Sequence, residues 1–153
     1  MDRLIVIATK EELELVKHPD ICPVLITGIG ALNVMRALRD IPRDTMIINF
    51  GYCGSGKIPK GTTVRIDRCD LYHPGISYQE DGFVLDRHDV VGLPTATCHT
   101  LTDFGGDPSL EGCVFDMELA FICGMGFDDV LSIKTVSDSC DYGEYERTLK
   151  EVE

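Results

Sequence analysis

The chain alternates between short apolar runs and polar stretches, and the length of each run says which element it forms. Arg3 to Ala8 is rich in Ile, Leu and Val, too short for a helix and suited to a strand buried on both faces. Thr9 then stands as an N-cap, with Glu11 and Glu12 in a first turn where acids favour the helix dipole. Leu13 and Val16 supply the apolar stripe of that helix, and His18-Pro19-Asp20 ends it. Pro23 to Thr27 predicts a second buried strand. Gly28-Ile29-Gly30 opens a helix from about Ala31 to Asp40, with Val34, Leu38 and Ile41 at helical spacing. Thr45 to Phe50 predicts a third strand, ending in the glycine-rich Gly51-Tyr52-Cys53-Gly54-Ser55-Gly56.

This βαβαβ order with short connections implies a parallel sheet with right-handed crossovers. From Ile58 to about Leu101 the helical period is lost. Pro and Gly punctuate that stretch, and Thr63 to Ile66 and Gly82 to Leu85 read as short strands extending the sheet in antiparallel fashion. Cys113 to about Met125 predicts a helix, with Met117, Ala120, Phe121 and Gly124 on one stripe. Val130 to Val136 is a strand running into Ser137-Asp138, and Tyr142 to Glu153 a polar surface helix. With no repeat or linker, one α/β domain over residues 1–153 is expected: a central mixed, mostly parallel sheet flanked by helices. Open parallel sheets bind ligands beyond the carboxyl ends of their strands. Those ends carry Thr9–Glu12, Gly28–Gly30, Gly51–Gly56 and Ser137-Asp138.

Composition narrows the partners. At 153 residues and 44% hydrophobic, the chain is long enough for a full core. Fourteen basic against 26 acidic residues leave a net charge of −12. That field repels nucleic-acid backbones and anionic membranes, but admits a neutral small molecule. The apolar run at the start is too short for a signal peptide, and no stretch approaches the roughly 18 apolar residues of a membrane span, so a cytoplasmic protein is expected. Seven cysteines at scattered spacings with no C-x-x-C signal neither a disulfide framework nor a zinc site and read as core-filling residues. The four histidines show no metal-ligand spacing either. No metal or cofactor is expected.

Candidate chemistry comes from acids in apolar company. Asp138, just past an apolar strand, is either a general acid with a pKa raised by burial or an N-cap of the last helix. Glu118, among Phe115, Met117, Leu119 and Ala120, is either a plain solvent-facing acid or a carboxylate accepting two hydrogen bonds from a vicinal diol. Gly28-x-Gly30 lacks the third glycine of a dinucleotide fingerprint, since position 33 is Asn, and no Walker lysine follows Gly51–Gly56. His99 beside Cys98, and His88 beside Asp89, come without a nucleophile elbow.

Five segments in order resemble the nucleoside phosphorylase and nucleosidase superfamily, and within it the methylthioadenosine/S-adenosylhomocysteine nucleosidase branch. They are Ala8-Thr9-Lys10-Glu11-Glu12-Leu13, Thr27-Gly28-Ile29-Gly30-Ala31-Leu32-Asn33, Ile48-Asn49-Phe50-Gly51-Tyr52-Cys53-Gly54, Phe115-Asp116-Met117-Glu118-Leu119-Ala120 and Val136-Ser137-Asp138. The resemblance implies a shortened phosphorylase/hydrolase-like fold and N-ribosyl hydrolysis of a purine-type nucleoside such as 5′-methylthioadenosine or S-adenosylhomocysteine. It further implies Asp138 as the acid at the leaving base and Glu12 (Glu11 if the register shifts by one) activating water. Glu118 with Met117 would sit at the ribose and Phe104 would stack on the base. Gly51, Tyr52 and Ser137 complete the implied substrate site, and a homodimer is the implied assembly. The chain departs from the family where Tyr52 replaces the usual Ser, and where a Tyr-His-Asp element is reduced to Tyr72-His73-Pro74.

The nucleophile is argued from arginines. Phosphorylases of the superfamily place one where Asn49 stands, and an earlier one in the first glycine-rich loop, yet residues 4–35 hold none. Without clustered guanidinium groups to grip a dianion, water is favoured over phosphate. The alternatives are a phosphorylase borrowing Arg36, Arg39 or Arg43 from a neighbouring subunit, and a nucleoside-binding protein without activity.

Overall fold

In the computed structural model, which describes residues 2–74 and 81–152, the first strand, β1 (Arg3–Ile7), lies between two parallel neighbours, β2 (Val24–Ile26) and β3 (Met46–Gly54). From β3 the pairing does not run on as an open sheet. β3 pairs in parallel with β8 (Asp129–Asp138), which pairs antiparallel with β4 (Thr63–Leu71). β4 pairs in parallel with β6 (Thr95–Thr100), and β6 with β7 (Cys113–Asp116). β7 then returns antiparallel to β3 at Gly54 and Phe115, closing a five-stranded barrel. β5 (Phe83–Val84) adds to the outer edge of β4. Register shifts at Cys53/Gly54 and Ile66/Arg68 supply the local bends that let a short sheet curl onto itself.

The closed barrel corrects the open sheet expected from the βαβαβ pattern, although five of the eight pairings among the described residues are parallel. Small side chains permit the closure. The largest core cluster takes Cys53, Val64, Cys98, Val114 and Val136 from the five barrel strands, and is covered by Leu119 and Ala120 of a short helix, α2 (Leu119–Gly124). A second core lies under α1 (Ala31–Leu38), whose Val34 and Leu38 pack with Val6, Ile47 and Ile122. The last helix is α3 (Tyr142–Val152). The seven cysteines are all free, five of them buried.

Five local expectations change. Cys113–Asp116 is a strand, because all four residues are buried in a barrel wall; helix begins only at Leu119. The glycine run does not end β3 but belongs to it through Gly54. β2 is a half-exposed edge strand rather than a buried one, and β6 is a strand in the stretch of short strands and loops that the sequence pattern did not single out. Lys10–Leu15 is a 3-10 helix with Leu13 39% exposed, while Glu12 is 5% exposed. The tighter helix thus turns an acid, not a leucine, into the protein.

Backbone crowding near the barrel mouth gives a stability test. A Cβ on Gly56 would lie 1.8 Å from the Pro108 carbonyl oxygen, whereas one on Gly124, in α2, meets nothing within 4 Å. Gly56→Ala is expected to cost at least about 1–3 kcal/mol. Gly124→Ala is expected to be neutral or stabilising by up to about 0.5–1 kcal/mol. Thermal melts would separate them by several degrees, at about 2–4 °C per kcal/mol; equal melting temperatures would contradict the packing described.

Candidate active site

The site is built around a lysine with no access to water. Lys134 lies mid-strand in β8, 1% exposed, and its Nζ is 3.1 Å from Asp116 Oδ2 at the end of β7. Asp116 is fully engaged: Oδ1 accepts from Thr100 Oγ1 (2.6 Å) and Oδ2 from Leu119 N (2.8 Å). Burial alone would raise the Asp116 carboxyl, but Lys134 and these donors outweigh it and hold the pKa below the ordinary value. Burial alone would lower the ammonium, but Asp116 and the acids around it hold its pKa raised. The pair is ionised.

Gly51 is the register partner of Lys134 on β3. A Cβ there would lie 2.9 Å from both Lys134 Nζ and Glu12 Oε2, so the missing side chain is the room in which those two groups converge. Glu12 is held by backbone donors. Oε1 accepts from Ala8 N (2.8 Å) and Thr9 N (3.0 Å), and Oε2 from Tyr52 N (2.7 Å). Desolvation raises its pKa against the opposing pull of Lys134 and the three N–H groups. Three backbone donors thus fix the orientation of this carboxylate in the cleft wall.

Glu118 is 8% exposed, and its Oε2 accepts from Gly30 N at 2.9 Å. The solvent-facing alternative for this acid is therefore wrong. Gly30 has φ +87°, a left-handed conformation that turns its N–H toward the carboxylate. Burial, and then the charge of Asp116, push the Glu118 carboxyl up to about 8. Asp138 ends β8 and does not cap α3: Asp141 Oδ1 accepts from Glu144 N there (3.1 Å). Instead Asp138 Oδ2 accepts from Ser137 Oγ (2.8 Å) and Oδ1 from Cys140 N (2.8 Å). Its pKa is raised by desolvation, which leaves it a proton donor at higher pH than an exposed aspartate.

Glu12, Asp116, Glu118 and Asp138 all line one cleft of about 460 Å³, counted out to its open mouth. Phe104, Phe115, Leu101, Ile29 and Met117 give it apolar walls, and among the described residues no Arg, Lys or His lines it. Tyr52 lines the cleft too, with its hydroxyl on Glu14 and its N–H on Glu12. Gly51 and Ser137 stand behind the wall, the first as spacer and the second as a donor to Asp138. Phe104 packs edge-on to Tyr142 (5.3 Å) and tilted against Tyr145 (5.4 Å).

The histidine pairs seen in the sequence resolve elsewhere, His99 onto Asp70 (2.6 Å) and His88 onto Asp129 (2.8 Å), outside the cleft. Asn49 bridges Val6 O and Ser132 Oγ as a buried structural amide. Arg43 caps carbonyls of its own loop and covers Phe127 at 4.8 Å, Arg39 lies by Asp40, and Arg36 is exposed on α1. Sequence reading missed Lys134 and Tyr145. A lone lysine inside an apolar strand was the available signal for the first; nothing in a polar terminal helix marked the second.

No protein-family model matches the chain, and no curated protein matches it. Solved structures do. The chain is similar to an MTAN of Chlamydia trachomatis at 20% identity and TM-score 0.77, with 99% of this chain and 89% of that one covered. It is similar to the 5′-methylthioadenosine/S-adenosylhomocysteine nucleosidase of S. pneumoniae, solved with a transition-state inhibitor, at 20% identity and TM-score 0.74, over 99% and 91%. It is also similar to an MTAN variant of Helicobacter pylori with 5′-methylthioadenosine in the active site, at 11% identity and TM-score 0.71, over 99% and 92%. The fold is that of these nucleosidases.

Two predictions follow from the electrostatics. Lys134→Met strands a buried carboxylate and is expected to cost about 3–5 kcal/mol, much of it recovered in the Lys134→Met/Asp116→Asn double variant; additive losses in denaturant melts would contradict the pairing. Glu118 has a higher pKa folded than its ordinary 4.5, so the stability it contributes is full below about pH 4.5 and is lost as pH rises through 8. Glu118→Gln is therefore expected to gain melting temperature relative to the parent from pH 5 to pH 8.5. A difference that stays flat with pH would place Glu118 in water.

Proposed function

We propose that the protein hydrolyses the N-ribosidic bond of a purine-type nucleoside. The observation that carries this reading is the convergence of Glu12, Glu118 and Asp138 on one cleft with apolar walls. A neutral, flat base with a polar sugar suits such a cleft: Phe104 and Phe115 offer rings for stacking, and carboxylates offer acceptors for hydroxyls.

In this mechanism Glu12 takes a proton from water, and the water oxygen bonds to C1′ of the ribose. The C1′–N9 bond breaks with its electron pair going to the purine, and Asp138 delivers a proton to N7, so that free base and free ribose leave. Glu118, beside Met117, accepts hydrogen bonds from the ribose hydroxyls. The positive charge that develops on the ribose is stabilised by the acidic lining of the cleft. Phosphate is the poorer nucleophile here, since among the described residues four carboxylates face the cleft and no guanidinium lines it. The solved relatives by name act on 5′-methylthioadenosine and S-adenosylhomocysteine, which makes these the natural first substrates to assay.

The test is base release from methylthioadenosine, S-adenosylhomocysteine, adenosine, inosine, guanosine and uridine, with and without phosphate. Phosphate-independent release of a purine is expected, and Asp138→Asn should lower turnover by at least about 10²-fold with the melting temperature retained. Release only with phosphate would make the protein a phosphorylase, and binding without release from any riboside would make it a nucleoside-binding protein.

A further inference from the structure

The wall of the cleft carries a tyrosine that the proposed mechanism leaves unused. Tyr145 reaches the cleft from α3. Its ring is held by Phe104 (5.4 Å) and by Tyr142 (6.1 Å), and its helix is pinned one turn on, where Thr148 Oγ1 donates to Ser137 O at 3.1 Å. Burial raises the Tyr145 pKa, followed by the charges of Glu12 and Glu118, so the group is a neutral phenol at the carboxylate end of the cleft. Among the described residues its hydroxyl makes no hydrogen bond within the chain, whereas Tyr52, which also lines the cleft, gives its hydroxyl to Glu14.

On the proposed reading, on which this inference rests, the reacting parts of the nucleoside and its ring hydroxyls have partners, and the C5′ substituent has none. The base has Phe104 and Asp138, C1′ has Glu12 and its water, and the ring hydroxyls have Glu118. We infer that Tyr145 is a specificity-determining residue whose phenol hydrogen-bonds an oxygen on C5′, so that the site favours a 5′-hydroxyl nucleoside over a 5′-alkylthio one. A phenol with no hydrogen bond to the described residues is left unpaired by a thioether, which is a weak acceptor and no donor, and a site built to pair a hydroxyl penalises the analogue lacking it. A 5′-phosphate is disfavoured as well, since it would bring a dianion among four carboxylates.

The experiment compares kcat/KM for adenosine and 5′-methylthioadenosine in the parent and in Tyr145→Phe, with Kd for both ribosides measured by calorimetry in an Asp138→Asn background. The parent should prefer adenosine by at least about tenfold, and Tyr145→Phe should remove most of that preference by weakening adenosine while 5′-methylthioadenosine is unchanged or improved. An adenosine to 5′-methylthioadenosine ratio that is the same in parent and variant overturns the assignment of Tyr145 and leaves the proposed hydrolysis standing. So does a parent that prefers the thioether. If the parent binds neither riboside, the proposed function fails and the inference fails with it. If it binds both without releasing base, the Kd ratio decides the role of Tyr145 by itself.

Discussion

A single buried ion pair dictates much of what surrounds it. Taking Lys134 and Asp116 out of water costs several kcal/mol per ion, and only close, fully satisfied partners offset that cost. Asp116 therefore binds Lys134, the Thr100 hydroxyl and the Leu119 N–H at once. Thr100 Oγ1 in turn accepts from Ala120 N at 3.0 Å. Through these bonds β8, β6, β7 and the start of α2 are fixed to one another by polar contacts as well as by packing. Since Glu118 is the residue before α2, the position of a site carboxylate depends on a charge pair that lies behind the cleft wall on its lysine side.

The same dryness sets the chemistry. Glu12, Glu118 and Asp138 all have raised pKa values with desolvation as the leading cause, yet each is restrained differently. Glu12 is gripped by three backbone N–H groups and lies near Lys134, an environment that favours charge. Glu118 has one N–H donor and faces the charge of Asp116, which favours the neutral acid. Asp138 sits between a hydroxyl, a backbone N–H and the cleft. Three carboxyls in one space are thus all raised by burial, while each is restrained by a different set of partners.

The strand–helix–strand start of the fold was legible because buried parallel strands are short continuous apolar runs, and Arg3–Ile7 and Met46–Gly54 are of that kind. The barrel was not legible. Its closure depends on Gly54 meeting Phe115 across 61 residues of chain, and on β6, whose Thr-Ala-Thr-Cys-His-Thr carries no strong apolar alternation. Cys113–Asp116 read as helix because the apolar period of α2 continues smoothly back into it. The acids of the cleft were found from their odd company, as carboxylates beside strand ends or among apolar neighbours. Lys134 escaped because a single cation within a strand gives no period to detect, and Tyr145 because its role exists only where α3 folds over the cleft.

The order of strands around the barrel also bears on how the chain reaches this state. β3 and β4 follow one another in sequence but do not pair; β8 lies between them. A ribosome making this protein therefore exports both strands long before the segment that joins them, at residues 129–138. Until then two edges rich in Ile, Val and Phe wait unmatched, and the pairings that complete the fold are among its most distant in sequence. Such a topology folds slowly, and exposes nascent chains to association with one another or with chaperones. The strand that relieves this exposure is the one that carries Lys134 and Asp138, so closure of the barrel and assembly of the acid cluster draw on the same segment of chain.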